Sequence, residues 1–412
     1  MPLLVLAPSV HIIAEDGGLR ADDKFLSGLQ RHAEMWDGPM RILLRVDSAP
    51  LPFSRLVTEA DFPGELRLLR ADEPIRAGHL AGADVLLASG DSHDQMDLAP
   101  LCAATGTRLV YAVEYTLPTR LRTALMDPQR GPLRRLRSAA WVLGQERRRR
   151  RALGAAAGLQ FNGYPAHGAY RALDPGGCLY FDGRMSRAMM ATEDEMMDRA
   201  ARLRAGGPIR LIASGRLEPM KGAQDLVPAA RAMRKAGVDF TLDIFGAGTL
   251  APAIAAAIAG GDVGDRVRLH PPVDFQTGLV PRMRRDADIF LSCHRQGDPS
   301  CSYLEAMGCG LAVIGTANEM WRPMAADTQA GWVLPMGRPG AVADCMAQLA
   351  ARRDRIAAAG RHALDFARAH DFEQEFARRM EHLAAIARRP AFSGRGAASR
   401  HPAGAPEGSS RP

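Results

Sequence analysis

Two stretches of this 412-residue chain combine charge with backbone freedom in a way that suits an anionic, hydroxyl-bearing ligand. The first is Ser214-Gly215-Arg216-Leu217-Glu218-Pro219-Met220-Lys221-Gly222, which follows the apolar run from Ile209 and precedes a helical stretch. Loops leaving the carboxyl ends of strands are where open α/β sheets bind ligands. Arg216 can fork onto phosphate oxygens, and Lys221, expected at the helix start, adds a point charge where the helix dipole also attracts anions. Gly215 and Gly222 lie beside the two cations. A ligand of diphosphate size fits this pattern; ordinary solvated loop charges are the alternative.

The second stretch runs from Cys293 through His294, Gly297, Asp298, Pro299, Ser300 and Glu305 to Gly310, again read as strand, loop and helix. Gly297 frees the backbone for close approach, Pro299 stiffens the loop, and the amides near Ser300 open a helix whose amino end can face a phosphate or sugar oxygen. Glu305, about a turn inside that helix, can accept hydrogen bonds from two ribose hydroxyls. Its neighbours Tyr303, Leu304, Ala306 and Met307 make the surroundings apolar. A buried carboxylate implies a partner.

The elements that must carry these loops are apolar runs alternating with alanine-rich helical stretches, the pattern of layered α/β architecture. Strands are expected at Leu3 to Ala7, Met40 to Val46, Val85 to Ala88, Leu109 to Val113, Leu159 to Phe161 and Leu179 to Phe181. A second series is expected at Ile209 to Ser214, Phe240 to Phe245, Val267 to His270, Ile289 to Ser292, Ala312 to Gly315 and Gly331 to Leu334. Two series imply two similar domains, 1–185 and 208–389, joined by the charged, methionine-rich, strand-free segment 186–207. The last helix, about 372–388, is a candidate to pack back on the first domain. Residues 390–412, rich in Pro, Gly, Ser and Arg, read as a disordered tail.

The formal net charge of +7 is concentrated. Between Arg120 and Arg151 stand eleven arginines against two acids, Asp127 and Glu146. A basic segment with Leu133, Leu136, Trp141, Val142 and Leu143 interleaved can lie on an anionic membrane, and equally can be a solvated surface helix. No nucleic-acid motif and few stacking aromatics accompany it, so no nucleic acid is expected as a partner. The beginning lacks the basic start and long apolar stretch of a signal peptide, and no run approaches the roughly 20 apolar residues of a membrane span. A cytoplasmic protein, peripheral at the inner membrane face at most, is the expectation. Six scattered cysteines form no CxxC pair, so free thiols and no metal site are expected, Cys293, Cys301 and Cys309 included.

The motifs resemble those of the retaining glycosyltransferases of GT-B fold in glycosyltransferase family four, the group 1 type. That family carries GR-x-x-x-x-KG and then E-x7-E continuing as EAM-x-x-G; this chain shows GRLEPMKG and YLEAMGCG in the same order, over about Ile209 to Leu334. The resemblance implies two Rossmann-like domains facing each other across a cleft, with the donor bound by the second. It implies that Gly215, Arg216 and Lys221 hold the diphosphate of a nucleoside-diphosphate sugar. Glu305 would take its ribose, and Gly297 to Ser300 the transferred sugar. No cofactor and no metal would be required, the cations standing in for one. The acceptor, whether a sugar, lipid-linked or a small molecule, is left open.

The chain departs from the pattern where the first signature glutamate should lie, because that position is Gly297. Asp298 is the carboxylate able to replace it. Glu319, in Gly315-Thr316-Ala317-Asn318-Glu319, stands where the family has a glycine-rich turn ending in glutamate. In the first domain Asp16-Gly17-Gly18 resembles the family's glycine loop facing the donor phosphates, a simple turn being the alternative. Glu114 sits where the family places a histidine near the reacting sugar, and is expected to position sugar or acceptor; His93 ends another strand. Two rival readings remain: a dinucleotide-dependent dehydrogenase, because Gly246-Ala247-Gly248-Thr249-Leu250-Ala251 fits G-x-G-x-x-A, and a sugar-binding or membrane-associated relative without turnover.

Overall fold

A computed structural model describes residues 1–51, 54–127, 130–297 and 301–389. In chain order the first sheet is built from β1 (Leu4–Ala7), β2 (His11–Glu15), β3 (Gly18–Asp22), β4 (Met40–Val46), β5 (Ser54–Val57), β6 (Glu65–Arg70), β7 (Val85–Ser89), β8 (Arg108–Val113), β9 (Gly158–Asn162) and β10 (Cys178–Tyr180). Its order is β10-β9-β8-β7-β1-β4-β2-β3-β5, with β6 on β4. The strands β1, β7 and β9 are buried along their whole length, which requires helices on both faces and explains their unbroken apolar runs. The second sheet holds β11 (Ile209–Ser214), β12 (Phe240–Phe245), β13 (Val267–His270), β14 (Ile289–Ser292), β15 (Ala312–Thr316) and β16 (Gly331–Leu334). It is parallel throughout, in the order β13-β12-β11-β14-β15-β16.

The expected strands are all present, but four in the first sheet were not foreseen. The strands β2, β3 and β5 form an antiparallel extension, with Glu15 opposite Gly18 and Leu19 opposite Val57. The sixth, Glu-Leu-Arg-Leu-Leu-Arg, pairs with β4 from Arg41–Glu65 to Val46–Arg70. Charged side chains break up these runs, so they lack the continuous apolar signal of a doubly covered strand.

The segment expected to link the domains contains a helix, Glu193–Ala205, started by a capping box in which Thr192 and Glu195 satisfy each other's backbone amides. This helix belongs to the second domain: Arg199, fully buried, donates to the carbonyls of Ala287, Met283, Arg284, Gly310 and Cys309. The last helix, Phe372–Ala387, is capped by Asp371, which accepts from the Gln374 amide at 2.8 Å. It buries Met380, Leu383 and Ile386 in the core of the first domain beside Leu4, Leu29 and Val85. The chain therefore crosses between domains twice, near 181–192 and near 370–372, and the crossings touch: the Phe372 amide donates to the Met185 carbonyl at 3.0 Å. Residues 390–412, read above as a tail, lie outside the described residues.

Candidate functional site

Two loops leaving neighbouring strands pack backbone to backbone at the carboxyl edge of the second sheet. The Gly215 amide donates to the Phe245 carbonyl at 3.1 Å, Leu217 to Ala247 at 2.8 Å, and Leu250 back to Leu217 at 3.0 Å. Gly246 has φ 153°, and a Cβ there would lie 2.0 Å from the Gly215 carbonyl oxygen. The glycines of the dinucleotide-like motif are thus accounted for by loop packing. Gly222, at φ 66°, holds the loop from β11 against the next strand end: a Cβ there would lie 1.8 Å from the Cys293 carbonyl oxygen. The left-handed turn also corrects the expectation for Lys221. It sits in a 3-10 turn, Pro219–Lys221, and the α-helix begins only at Leu226, because the backbone reverses at Gly222.

An ion pair that the sequence did not announce clamps this loop. Arg295 binds the buried carboxylate of Asp225 through Nη2 at 2.7 and 2.9 Å and Nε at 3.2 Å, and the Arg295 amide donates to the Met220 carbonyl at 3.0 Å. Behind the loop lies His294, buried; burial, with Lys221 and Arg216 nearby, holds its imidazole well below the usual histidine range and therefore neutral. Arg216 itself is exposed, and Lys221 half-buried.

Glu305, on the helix Cys301–Gly308, is 3% exposed, and its partner comes from the interdomain segment. Arg184 donates to Glu305 Oε1 through Nε and reaches it through Nη2, both at 2.8 Å. The guanidinium lies 4.0 Å over the ring of Phe275, in the turn after β13. The same helix is anchored by Tyr303, whose hydroxyl accepts from Ser292 at 3.0 Å and from Asn318 at 2.8 Å. Asn318 in turn accepts from the Met320 and Trp321 amides at 3.0 and 2.7 Å, at the start of the helix Trp321–Thr328 and beside Glu319.

Glu319 meets both Gly297 and the first domain. A Cβ at Gly297 would lie 2.5 Å from Glu319 Cβ and 2.8 Å from Oε2. Across the cleft, Thr116 donates to Glu319 Oε2 at 2.8 Å and Arg122 stands 3.5 Å from Oε1. Asp298 and Ser300 lie outside the described residues. Glu114, two residues before Thr116, is half-buried on the same edge. Its turn is set by Asp91, which accepts from the amides of Glu114 at 2.8 Å and Tyr115 at 3.1 Å. Burial pushes the Asp91 carboxyl up, and Arg149, 2.6 Å away and fully buried, opposes that shift. His93 packs edge-on against Trp141 at 5.5 Å.

Gly17 and Gly18 lie at the simple turn that was the alternative to a phosphate-facing loop. They join β2 to β3 in a hairpin, Gly17 at φ 95° and Gly18 close against the Val57 carbonyl. The residue of that region that reaches the second domain is Lys24, which binds Asp182 and lies 3.3 Å from Cys301 Sγ. Burial pushes the thiols of Cys293, Cys301 and Cys309 up to about 12. Among the described residues no three His, Cys, Asp or Glu side chains converge as a metal site would need.

Residues 208–352, which carry every one of the loops from Gly215 to Glu319, match the family described as Glycosyl transferases group 1. That match covers the second sheet and its loops, about a third of the chain. The amylovoran biosynthesis glycosyltransferase AmsK of Erwinia amylovora is 29% identical over 168 residues, 39% of this chain and 40% of that protein, so the matched segment spans less than half of the curated relative. Among solved structures, Anabaena HepE in complex with UDP superposes over 93% of this chain and 100% of its own with a TM-score of 0.61 at 14% identity. Sucrose-phosphate synthase of Thermosynechococcus elongatus gives 0.62 over 93% and 98%, also at 14%. The fold is GT-B.

Proposed function

We propose that this chain is a retaining glycosyltransferase that moves a sugar from a nucleoside-diphosphate sugar to a hydroxyl acceptor without a metal ion. The observation that carries the reading is the loop bearing Arg216 and Lys221, which Gly222 packs against the Cys293 strand end in the region that matches Glycosyl transferases group 1, with the buried carboxylate of Glu305 on the helix after that same strand. The cations stabilise the charge that develops on the leaving diphosphate, the main contribution expected of preorganised groups. The bond from the anomeric carbon to the phosphate oxygen breaks. The acceptor oxygen bonds to that carbon on the same face, and its proton passes to the departing phosphate. Glu305 receives the ribose hydroxyls, Gly297, Asp298, Ser300 and Glu319 surround the sugar, and Glu114 positions sugar or acceptor from the first domain.

Uridine nucleotides are the first donors to test, since the HepE structures hold UDP and UDP-glucose. A polysaccharide or glycolipid acceptor at the membrane accords with the naming of AmsK and with the basic helix discussed below. The test is the double variant Arg216→Ala, Lys221→Ala. Loss of two charge-assisted contacts should weaken nucleoside-diphosphate binding at least about 100-fold and abolish transfer. Turnover that survives the double change would remove the reading.

A further inference from the structure

Arg184 belongs to neither motif, yet it touches the one carboxylate that the donor is proposed to need. The interdomain segment brings it there: Gly183 packs against Leu304, the residue before Glu305, so the next side chain along falls directly on the carboxylate. Both of its contacts go to Oε1 of Glu305, and its planar group covers the face of Phe275. Although the pair is formed, the arginine remains 44% exposed, while its carboxylate partner is 4% exposed. The geometry is that of a cation that can leave toward solvent, over a carboxylate that cannot.

We infer that Arg184 is a displaceable plug of the nucleoside subsite, whose guanidinium pairs with Glu305 and covers Phe275 until a nucleoside replaces it with ribose hydroxyls on Glu305 and a base on the Phe275 ring. The inference rests on the assignment of Glu305 to the ribose. The physical case is one of substitution. A buried carboxylate needs a counter-charge or hydrogen-bond donors, and an aromatic face accepts either a guanidinium or a nucleobase. One side chain now supplies both, so a nucleoside that supplies both competes with it. Affinity for the nucleoside part is then lowered by the cost of displacing Arg184, as for any protein whose competent state is only partly populated. Because Arg184 lies in the segment joining the domains, its release also loosens one of the ties that fix their relative orientation.

Calorimetric titration of the full-length protein with uridine diphosphate and with inorganic pyrophosphate tests this. Pyrophosphate engages Arg216 and Lys221 alone, so its affinity should be the same for wild type and Arg184→Ala. Uridine diphosphate should bind Arg184→Ala at least fivefold more tightly, while the melting temperature of the unliganded variant falls. Arg184→Gln, which keeps hydrogen-bond donors without the charge, should be intermediate, and it serves if the alanine variant does not fold. Equal or weaker uridine diphosphate binding by the variants would overturn the plug, the weaker case meaning that Arg184 stays to hold the nucleotide. A wild type that binds pyrophosphate and no nucleoside diphosphate, unrescued in either variant, would overturn it together with the ribose assignment. Binding of neither ligand would remove the donor site itself.

Discussion

At Gly297 the chain lacks the carboxylate that its resemblance to a known family calls for, and the neighbouring loop explains why a side chain is not tolerated there. Glu319 occupies the adjacent space, with its Cβ 2.5 Å from where a Cβ on Gly297 would be. Reintroducing glutamate at 297 therefore does not restore a missing group but collides with one already present. Even Gly297→Ala should destabilise the second domain, by about 1–3 kcal/mol as overpacking does, and should lower transfer by pushing Glu319 away from Thr116. In a Glu319→Gly background the same alanine should cost markedly less. Thermal unfolding of the four proteins of this cycle measures the coupling, and additive effects would mean that the contact is relaxed without cost.

The loops around β11 and β14 were legible because each element speaks locally: an apolar run, a glycine, a cation, a helix start. The partners Arg184, Asp225, Arg295 and Thr116 were not, since nothing local in the sequence says which distant charge a fold brings to a buried carboxylate. Asp298 and Ser300 stay expectations. The arginine segment shows a similar division. It forms one helix, Pro132–Gly154, but its arginines have two fates. Arg149 is buried and tied to Gly90, Tyr115, Tyr170 and Asp91, shaping the turn that bears Glu114. Arg134, Arg137, Arg147, Arg150 and Arg151 are exposed, and so are Leu133, Leu136, Trp141 and Leu143. Leu133, Leu136, Leu143, Arg147 and Arg150 recur at helical spacing, a face both apolar and basic. No helix among the described residues is long and apolar enough to cross a membrane, so any attachment by this element would be at the surface. If it docks the protein to an anionic bilayer, the protein should sediment with phosphatidylglycerol vesicles and not with phosphatidylcholine vesicles. Each exposed charge would contribute about 1 kcal/mol, and the binding should fade with salt. Replacing Leu133, Leu136 and Leu143 with serine should release it; no preference for the anionic vesicles would exclude this role.

For the molecule as a whole, the second crossing of the chain makes the two domains interdependent. The helix Phe372–Ala387 is the last part of the chain before residues 390–412, and it completes the core of the first domain. One of its contacts carries a titratable group. His32 is buried in the helix Asp23–Met35 with its ring edge-on to Phe376 at 5.2 Å, and its Nδ1 donates to the Gly28 carbonyl at 2.7 Å. Burial, with the charge of Arg379 on the docked helix, lowers its pKa to about 4. A histidine held neutral in this way favours the folded chain above its unfolded pKa of about 6.5, because the unfolded state binds the proton more readily below that value. Its contribution is complete above pH 6.5 and is lost progressively as the pH falls to about 4. That loss amounts to about 3 kcal/mol at most, 2.5 units at 1.36 kcal/mol each. Other ionisable groups are common to wild type and a His32 variant, so the informative quantity is the difference between the two proteins. Melting temperatures of wild type and His32→Leu should diverge with pH: the wild type should lose stability between pH 6.5 and 4 more steeply than the variant, with the difference confined to that window. Because the contact joins the last helix to the first domain, protease cleavage within 370–389 of the wild type should become faster over the same interval. A stability difference that does not change with pH would show that His32 is not the proton-sensitive part of this docking contact.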